Sequence, residues 1–585
     1  MKKIITLFVA SLLSSFVMAQ QPHLEWAKNY GNVQSDASNS VVVDNDGNVY
    51  TAGYIMDTVV FHTATDSIQL ISMDGTADIV VTKQDAAGNF IWAKSFPGPA
   101  GENAFSCAVD NSGNVYVTGP FQQTVDFDPG AGVFEMTCMG VGFDIFICKL
   151  DSNGDFVWAK QVGGEGYYDY GQYLKLDPLD GSIYVTGQFN GVMDCDPGPG
   201  VFNLYPAYAG DYETYVLKLN NDGSFNWAIS FTGDQFDSGT GLALDGNGNL
   251  FVCGVFGGVT DFDPGAGEYI LTAASSGYAD GFVCKLNATD GSFVWAVPMG
   301  SLGNDWCNSI AVDPSGNVLV AGEFFDNVDF DPGPNQFNLL GKGGYDIFVW
   351  KLDTDGNLLW AKSMGGSDSD WGASIAVDAS GNAYTTGHFM TTADFDPGDA
   401  VYNLNAGAYY EVFISKLTSE GDFAWAMAFR GNQYYDLNSD DGFCIAVDAD
   451  NNVYTVGSFE SWVDVDPSSL IYYITAHDVL HSGFYSPDAF IHKLSQINVG
   501  LPEAADAKPF NVYPNPVKDE ATVDLGSEYS YIQASLTDVT GKILAKSTYN
   551  NTSSIKVKMD VATGIYFLQL RDKNGVIANL KVVKE

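Results

Sequence analysis

Six short stretches place two aspartates two residues apart, just ahead of a turn. The first is Val125-Asp126-Phe127-Asp128-Pro129-Gly130; close copies carry Asp194 and Asp196, Asp261 and Asp263, Asp329 and Asp331, Asp394 and Asp396, and Asp464 and Asp466. In an extended segment alternate side chains share one side, so the carboxylates of a pair point the same way, about 7 Å apart. Such a pair suits a hard cation, calcium above all, provided carbonyls or water complete an oxygen shell. Asp128 before Pro129-Gly130 also suits a turn, with proline presetting φ and glycine accepting the bend. That turn explains the second aspartate of each pair and not the first. Scaffold turn, ion pair, calcium site and ligand contact therefore all stay open. The corresponding stretch nearest the N-terminus, Thr58-Val59-Val60-Phe61-His62, has no pair. Six equivalent copies describe a repeated element, not one active site.

The repeat that carries them runs through most of the chain. Trp-Ala recurs at Trp26, Trp92, Trp158, Trp227, Trp295, Trp360 and Trp425. A second signature, of the type Ala-Val-Asp-x-x-Gly-Asn-Val-Tyr, follows each of them, and a third ends an alternating run at a lysine, from Lys83 to Lys493. Each unit reads as four short strands, a to d, and no long stretch has the 3.6 period of a helix. The a–b and c–d turns share Asp-x-x-Gly, in which aspartate bonds backbone amides and glycine takes the left-handed position. The seventh unit stops after Lys493-Leu494 without its tryptophan strand, while the N-terminal region holds a spare one around Trp26. The expected fold is all-β: a seven-bladed β-propeller over 20–497, closed by the N-terminal strand, which removes open sheet edges. Residues 23–494 resemble the secreted β-propeller repeat family, which implies a fold more than an activity.

The ends differ in kind. Lys2 and Lys3, an apolar run over 4–17 and Val17-Met18-Ala19 read as a signal peptide over 1–19. Residues 498–509 read as a linker, and 510–585 as short alternating strands of a small β-sandwich. This last segment is similar to the type A C-terminal sorting domain of the type IX secretion system. The resemblance rests on Tyr513-Pro514-Asn515-Pro516, Gly541-Lys542, Gly564-Ile565-Tyr566, Lys581 and Lys584. It implies delivery across an outer membrane by the type IX machinery, to the cell surface or beyond.

The formal net charge is -46. A body so acidic repels phosphate backbones, so nucleic acid is not an expected partner, whereas divalent cations are attracted. No transmembrane segment is expected. Of eight cysteines, only Cys253 and Cys284 fall on adjacent predicted strands, and scattered buried thiols are the expected state. No nucleophile elbow, zinc-protease motif or phosphate loop occurs, so no catalytic residue is assigned. What departs from the repeat is aromatic: Tyr167, Tyr168 and Tyr170, Trp306, Trp371, and Tyr434 and Tyr435, all in d–a loops. Rigid aromatic loop tips suit sugar rings or protein partners. The sequence points to an exported, non-enzymatic module for binding or adhesion to glycan or protein. The alternative is a secreted polysaccharide-degrading enzyme on the same scaffold, whose carboxylates the sequence does not single out.

Overall fold

The computed structural model describes residues 22–166, 168–407, 409–431, 440–468, 471–477, 486–496, 511–513, 517–537, 543–562, 564–571 and 576–584. They are all-β, with no helix among them. The chain divides into two compact units, Met1–Gln496 and Ile497–Glu585.

In the first unit each repeat forms four antiparallel strands in the order a-b-c-d, beginning with Ala37–Val43, Val49–Ile55, Asp78–Gln84 and Phe90–Phe96. Later sheets start at Ser106, Tyr170, Ser238, Trp306 and Trp371. A further sheet takes a, b and c from Asp441–Val447, Val453–Phe459 and Asp488–Ser495, and its fourth strand from His23–Tyr30. Trp26 lies opposite Lys493 and Tyr30 opposite Ala489 in that pairing. Among the described residues no sheet closes on itself. Instead each a strand packs on the a strands before and after it, and Asp441–Val447 returns to Ala37–Val43. The arrangement is propeller-like.

The hairpins form as their residues dictate. Asp110 Oδ1 accepts the amides of Ser112 and Asn114 at 2.8 and 3.0 Å, while Gly113 sits at φ 77°. Asn451 fills the same place at φ 63°, as the next-best residue for a left-handed turn.

Apolar residues of strands b and c are buried on both faces and join each sheet to its neighbours. Cys253 and Cys284 fall in different clusters, one on each side of their sheet. They point apart and form no bridge; all eight cysteines are free.

A polar clamp adds to this packing. Each strand-c lysine lies near an aromatic ring of its own sheet, as Lys83 does at 5.0 Å from the Tyr50 ring centre. It then donates to the c–d hairpin of the next sheet. Lys83 Nζ and Trp92 Nε1 share the Ser152 carbonyl at 3.3 and 3.2 Å. Lys285 and Trp295 share that of Thr354 at 2.8 and 3.2 Å. Lys493 and Trp26 share that of Ala86 at 3.3 and 3.0 Å, so the N-terminal strand repeats the clamp of the others. The sheet completed by His23–Tyr30 has no c–d hairpin of its own, because its d strand arrives from elsewhere. There the Gln496 side chain stands in, its Oε1 accepting Lys416 Nζ at 2.8 Å and Trp425 Nε1 at 3.4 Å.

The second unit has a three-stranded sheet (Asn511–Tyr513, Glu520–Tyr529, Thr552–Lys558) and a four-stranded one (Ile543–Tyr549, Ile532–Thr537, Gly564–Arg571, Val576–Lys584). Val523 and Ile555 of the first share one core with Leu536 and Leu568 of the second.

Candidate functional site

The paired-aspartate loops lie between strands b and c. Val125 and Phe127 are fully buried, which turns the two carboxylates outward. Asp126 Oδ1 accepts the amide of Asp128 at 3.1 Å and, across the loop, that of Phe134 at 2.8 Å. Asp128 Oδ1 accepts the Gly130 amide at 2.8 Å. The same bonds recur from Asp194, Asp261, Asp329, Asp394 and Asp464 to the amides of Phe202, Tyr269, Phe337, Tyr402 and Tyr472. Asp196, Asp263, Asp331, Asp396 and Asp466 each bond the amide two residues on. The first aspartate thus has a local task, holding the loop shut over eight residues.

Several of these loops also reach the preceding sheet. Asp194 pairs with Gly163 and Asp394 with Gly365, at the far ends of the neighbouring d strands. Two first aspartates meet cations, Asp394 with Lys342 at 3.5 Å and Asp464 with Arg430 at 3.9 Å. Both cations lie outside the repeat pattern, since the repeated lysines serve the clamp. Among the described residues no group of three or more His, Cys, Asp or Glu is placed to hold a metal ion. Asp329→Ala is expected to free the Phe337 amide and cost the loop about 1–2 kcal/mol. Faster hydrogen exchange at Phe337, with little change at distant strands, checks it.

The aromatic positions form a larger feature. At the end of the unit that carries the d–a loops, ring follows ring across successive sheets. Tyr170 lies 5.5 Å from Phe143, which stacks on Tyr168 at 6.1 Å. Tyr168 stacks on Tyr212 at 6.3 Å, and Tyr212 meets Phe236 at 5.6 Å. Phe236 is 6.5 Å from Trp306. Trp306 and Trp371 then line a cavity of about 440 Å³ with Asn304, Asn308, Glu323 and Tyr345. Tyr345 stacks on Trp371 at 5.6 Å, and beyond it stand His388 and Tyr410. Tyr168 is 41% exposed and Phe236 36%, so the arc offers ring faces to solvent.

Glu323 forms the polar floor of that cavity. Its Oε1 accepts Trp371 Nε1 at 2.8 Å and its Oε2 accepts Asn308 Nδ2 at 2.5 Å. Burial pushes its carboxyl well above the ordinary glutamate value, against the pull of these two bonds. The a strands line a second cavity of about 280 Å³ containing Lys175, Tyr173, Cys107 and Cys444, with no carboxylate or histidine among its described lining residues.

Tyr168, Tyr170, Trp306 and Trp371 are thus brought together, while Tyr167, Tyr434 and Tyr435 lie outside the described residues. The reading from sequence missed Phe143, Tyr345 and Tyr410. A signal was present: Phe143-Asp144, Tyr212-Glu213, Tyr345-Asp346 and Tyr410-Glu411 each put an aromatic directly before the acid that opens strand c. In the C-terminal unit Tyr513 ends the first strand, Gly564 lies opposite Lys584, and Lys581 opposite Phe567. Tyr566 is buried and donates its hydroxyl to the Ala562 carbonyl at 2.9 Å. Lys584 Nζ donates to the Lys518 carbonyl. Pro514, Asn515, Pro516, and the residues of the expected signal peptide and linker, lie outside the described residues.

Comparison with known proteins assigns the two units. Residues 511–585 match a secretion system C-terminal sorting domain, and residues 299–323 and 360–395 match a β-propeller repeat. The chain therefore carries secreted-type β-propeller repeats ahead of a type IX sorting domain. It is exported across the outer membrane, to the cell surface or the medium, by the type IX machinery. No helix among the described residues is long and apolar enough to cross a membrane.

An uncharacterized WD repeat-containing protein of Acanthamoeba polyphaga mimivirus is 22% identical over 74% of this chain and 36% of its own length. The regulatory protein FlaEY of Caulobacter vibrioides is 26% identical over 34% of this chain and 20% of its own. The chain thus spans well under half of either relative. Among solved structures, a gluconolactonase from Xanthomonas campestris aligns with a TM-score of 0.26 at 14% identity, over 62% of this chain and 95% of that one. A europium-containing methanol dehydrogenase aligns with a TM-score of 0.36 at 11% identity, over 81% and 93%.

Proposed function

We propose that residues 20–497 form a seven-bladed β-propeller closed by its N-terminal strand, that 510–585 form a β-sandwich after a linker, and that the exported propeller binds glycan at the cell surface or in the medium. The observation that carries the binding reading is a pair of ring runs, Tyr170 to Trp306 and Tyr345 to Tyr410, that meet at the cavity lined by Trp306 and Trp371. Flat, half-exposed rings on a rigid scaffold offer sugar faces an apolar contact at little entropic cost, and Asn304 supplies an amide for hydroxyls. A protein partner would use the same rings. The paired aspartates act in this reading as loop braces that hold neighbouring sheets in register.

Titration of the full chain with a panel of soluble polysaccharides, followed by tryptophan fluorescence and calorimetry, tests the reading. Trp371→Ala is expected to weaken the bound polysaccharide at least ~10-fold, as loss of an aromatic anchor does. Binding unchanged by both Trp371→Ala and Trp306→Ala would remove the arc as the site. Deletion of 511–585 is expected to leave the protein inside the outer membrane, as cell fractionation would detect.

One observation favours a second reading, a polysaccharide-degrading enzyme. A buried glutamate with a raised carboxyl pKa, set in an aromatic cavity, has the character of a general acid. Release of new reducing ends by the wild type, abolished in Glu323→Gln, would establish that reading over the first.

A further inference from the structure

An acidic body is expected to keep its carboxylates in water. At each junction between sheets this one instead buries two. One acid opens strand c; the other stands just ahead of strand a in the next sheet. A backbone bond sets them side by side: the second acid's amide donates to the carbonyl of the residue before the first. Glu102 bonds Ala77 at 2.9 Å in this way and Asp169 bonds Phe143 at 3.1 Å, and the bond recurs from Asp305 to Ala279 and from Asp370 to Tyr345.

At most junctions loop amides satisfy much of the pair. Asp305 accepts from Ser301 and Phe325, and Asp370 from Gly366 and Met390. Four junctions keep an unpartnered carboxyl oxygen: those of Asp280 and Asp488 keep one each, and two others keep two. Glu102 is 0% exposed and neither carboxyl oxygen has a full hydrogen bond, although the backbone amides of Ala100 and of Glu102 itself approach the carboxyl. It lies against Gly98, where an added Cβ would fall 2.5 Å from its Oε2. The amide of the same glycine donates to Asp78 Oδ1 at 3.4 Å, so both acids converge on one point. At the next junction Asp144 and Asp169 are each 1% exposed. Asp144 Oδ2 takes the Met139 amide and Gln161, and Asp169 Oδ1 takes the Asn190 amide. That leaves Asp144 Oδ1 and Asp169 Oδ2, both buried and neither with a full hydrogen bond, although the Gly164 amide approaches both acids.

A buried carboxylate oxygen with nothing to bond is costly, and two facing acids compound the cost unless a positive charge is shared between them. We propose that the Asp78–Glu102 and Asp144–Asp169 junctions each bind one hard divalent cation, calcium foremost, with backbone carbonyls and water completing the oxygen shell. This places calcium between sheets, away from the paired-aspartate loops. It is independent of the glycan reading.

Protons compete for these sites. Burial first, and then the neighbouring acid, raises Glu102 to about 8. Burial likewise raises Asp169 to about 7, against the Asn190 amide and with Asp144 adding to the rise. Cation binding must therefore release protons and tighten as pH rises.

Calorimetric titration of the EDTA-treated full chain with calcium chloride, at pH 6 and pH 8, is the test. At pH 8 the number of bound calcium ions is expected to fall by one in Glu102→Gln, by one in Asp169→Asn, and by two in the double variant. In EDTA the variants should melt at or above the wild-type temperature, because each removes a buried charge. An unchanged calcium count in the double variant would overturn the proposal and send the ions to the paired-aspartate loops. No calcium binding at pH 8 would overturn it in favour of a proton shared within each pair.

Discussion

Removing His23–Tyr30 is expected to abolish cooperative folding of the first unit. The strand supplies the whole d position of the sheet built on Asp441–Val447, and its loss bares the edge of Asp488–Ser495 along its length. An open edge of that length is a template for pairing with other chains. Trp26 and Tyr30, 9% and 1% exposed, would leave the core between that sheet and the next. The Ala86 carbonyl would lose one of its two clamps, and Lys493 would be left to hold the junction alone. Trp26→Ala, which keeps the strand and removes the ring, is expected to cost about 3–5 kcal/mol. Size-exclusion chromatography and thermal melting separate the two effects. The truncated chain should elute as aggregates without a sharp transition, whereas Trp26→Ala should remain monomeric and melt early. A truncated chain melting within a few degrees of wild type would show that the other sheets need no closure.

The parts of this architecture visible in the sequence are those in which each copy repeats one local rule. Asp-x-x-Gly hairpins and alternating strands follow from residues within a few positions of one another, and the spare strand around Trp26 from counting the repeats. The role of Asp126 was hidden because its second partner, the Phe134 amide, lies across a loop whose path the sequence does not reveal. The aromatic arc was only half visible. Tyr168, Tyr212, Phe236 and Trp306 come from different repeats, and only the packing of one sheet on the next brings their rings together. Gln496 carried no signal at all. It matters because the clamp needs an acceptor where the hairpin carbonyl is missing, a need that appears only once the N-terminal strand is seen in place. The buried acids ran against expectation, since a net charge of -46 reads as a solvated surface.

Those acids should also invert the usual dependence of stability on pH. In the presence of EDTA the melting temperature is expected to be highest near pH 4–5 and to fall by at least about 5 °C by pH 8.5. Burial raises Asp36 to about 8, Asp280 and Asp370 to about 7, and Asp305 to about 6. An unfolded carboxyl titrates near 4, so between about pH 4 and pH 8 the native chain holds protons that the unfolded chain has released. Stability present below pH 4 is then lost progressively as pH climbs through the raised values, and levels off above them. His477 acts in the same direction, because its hydrogen bond to Asp488 raises it above the ordinary histidine value despite burial. The hairpin aspartates set the acid limit. At Asp44 burial is outweighed by bonds from Asn48 and Tyr50, which hold the carboxyl below its usual range. That contribution is lost as pH falls below about 4. Proteins whose carboxylates are all paired or solvated show no such fall over the same rise in pH, because their gain is complete by about pH 5. A melting temperature that is flat or rising from pH 5 to pH 8.5 in EDTA would mean that the junction acids are ionised and stabilised without protons. A fall in EDTA that calcium reverses at pH 8.5 would mean that protons and cations exchange at the same buried pairs.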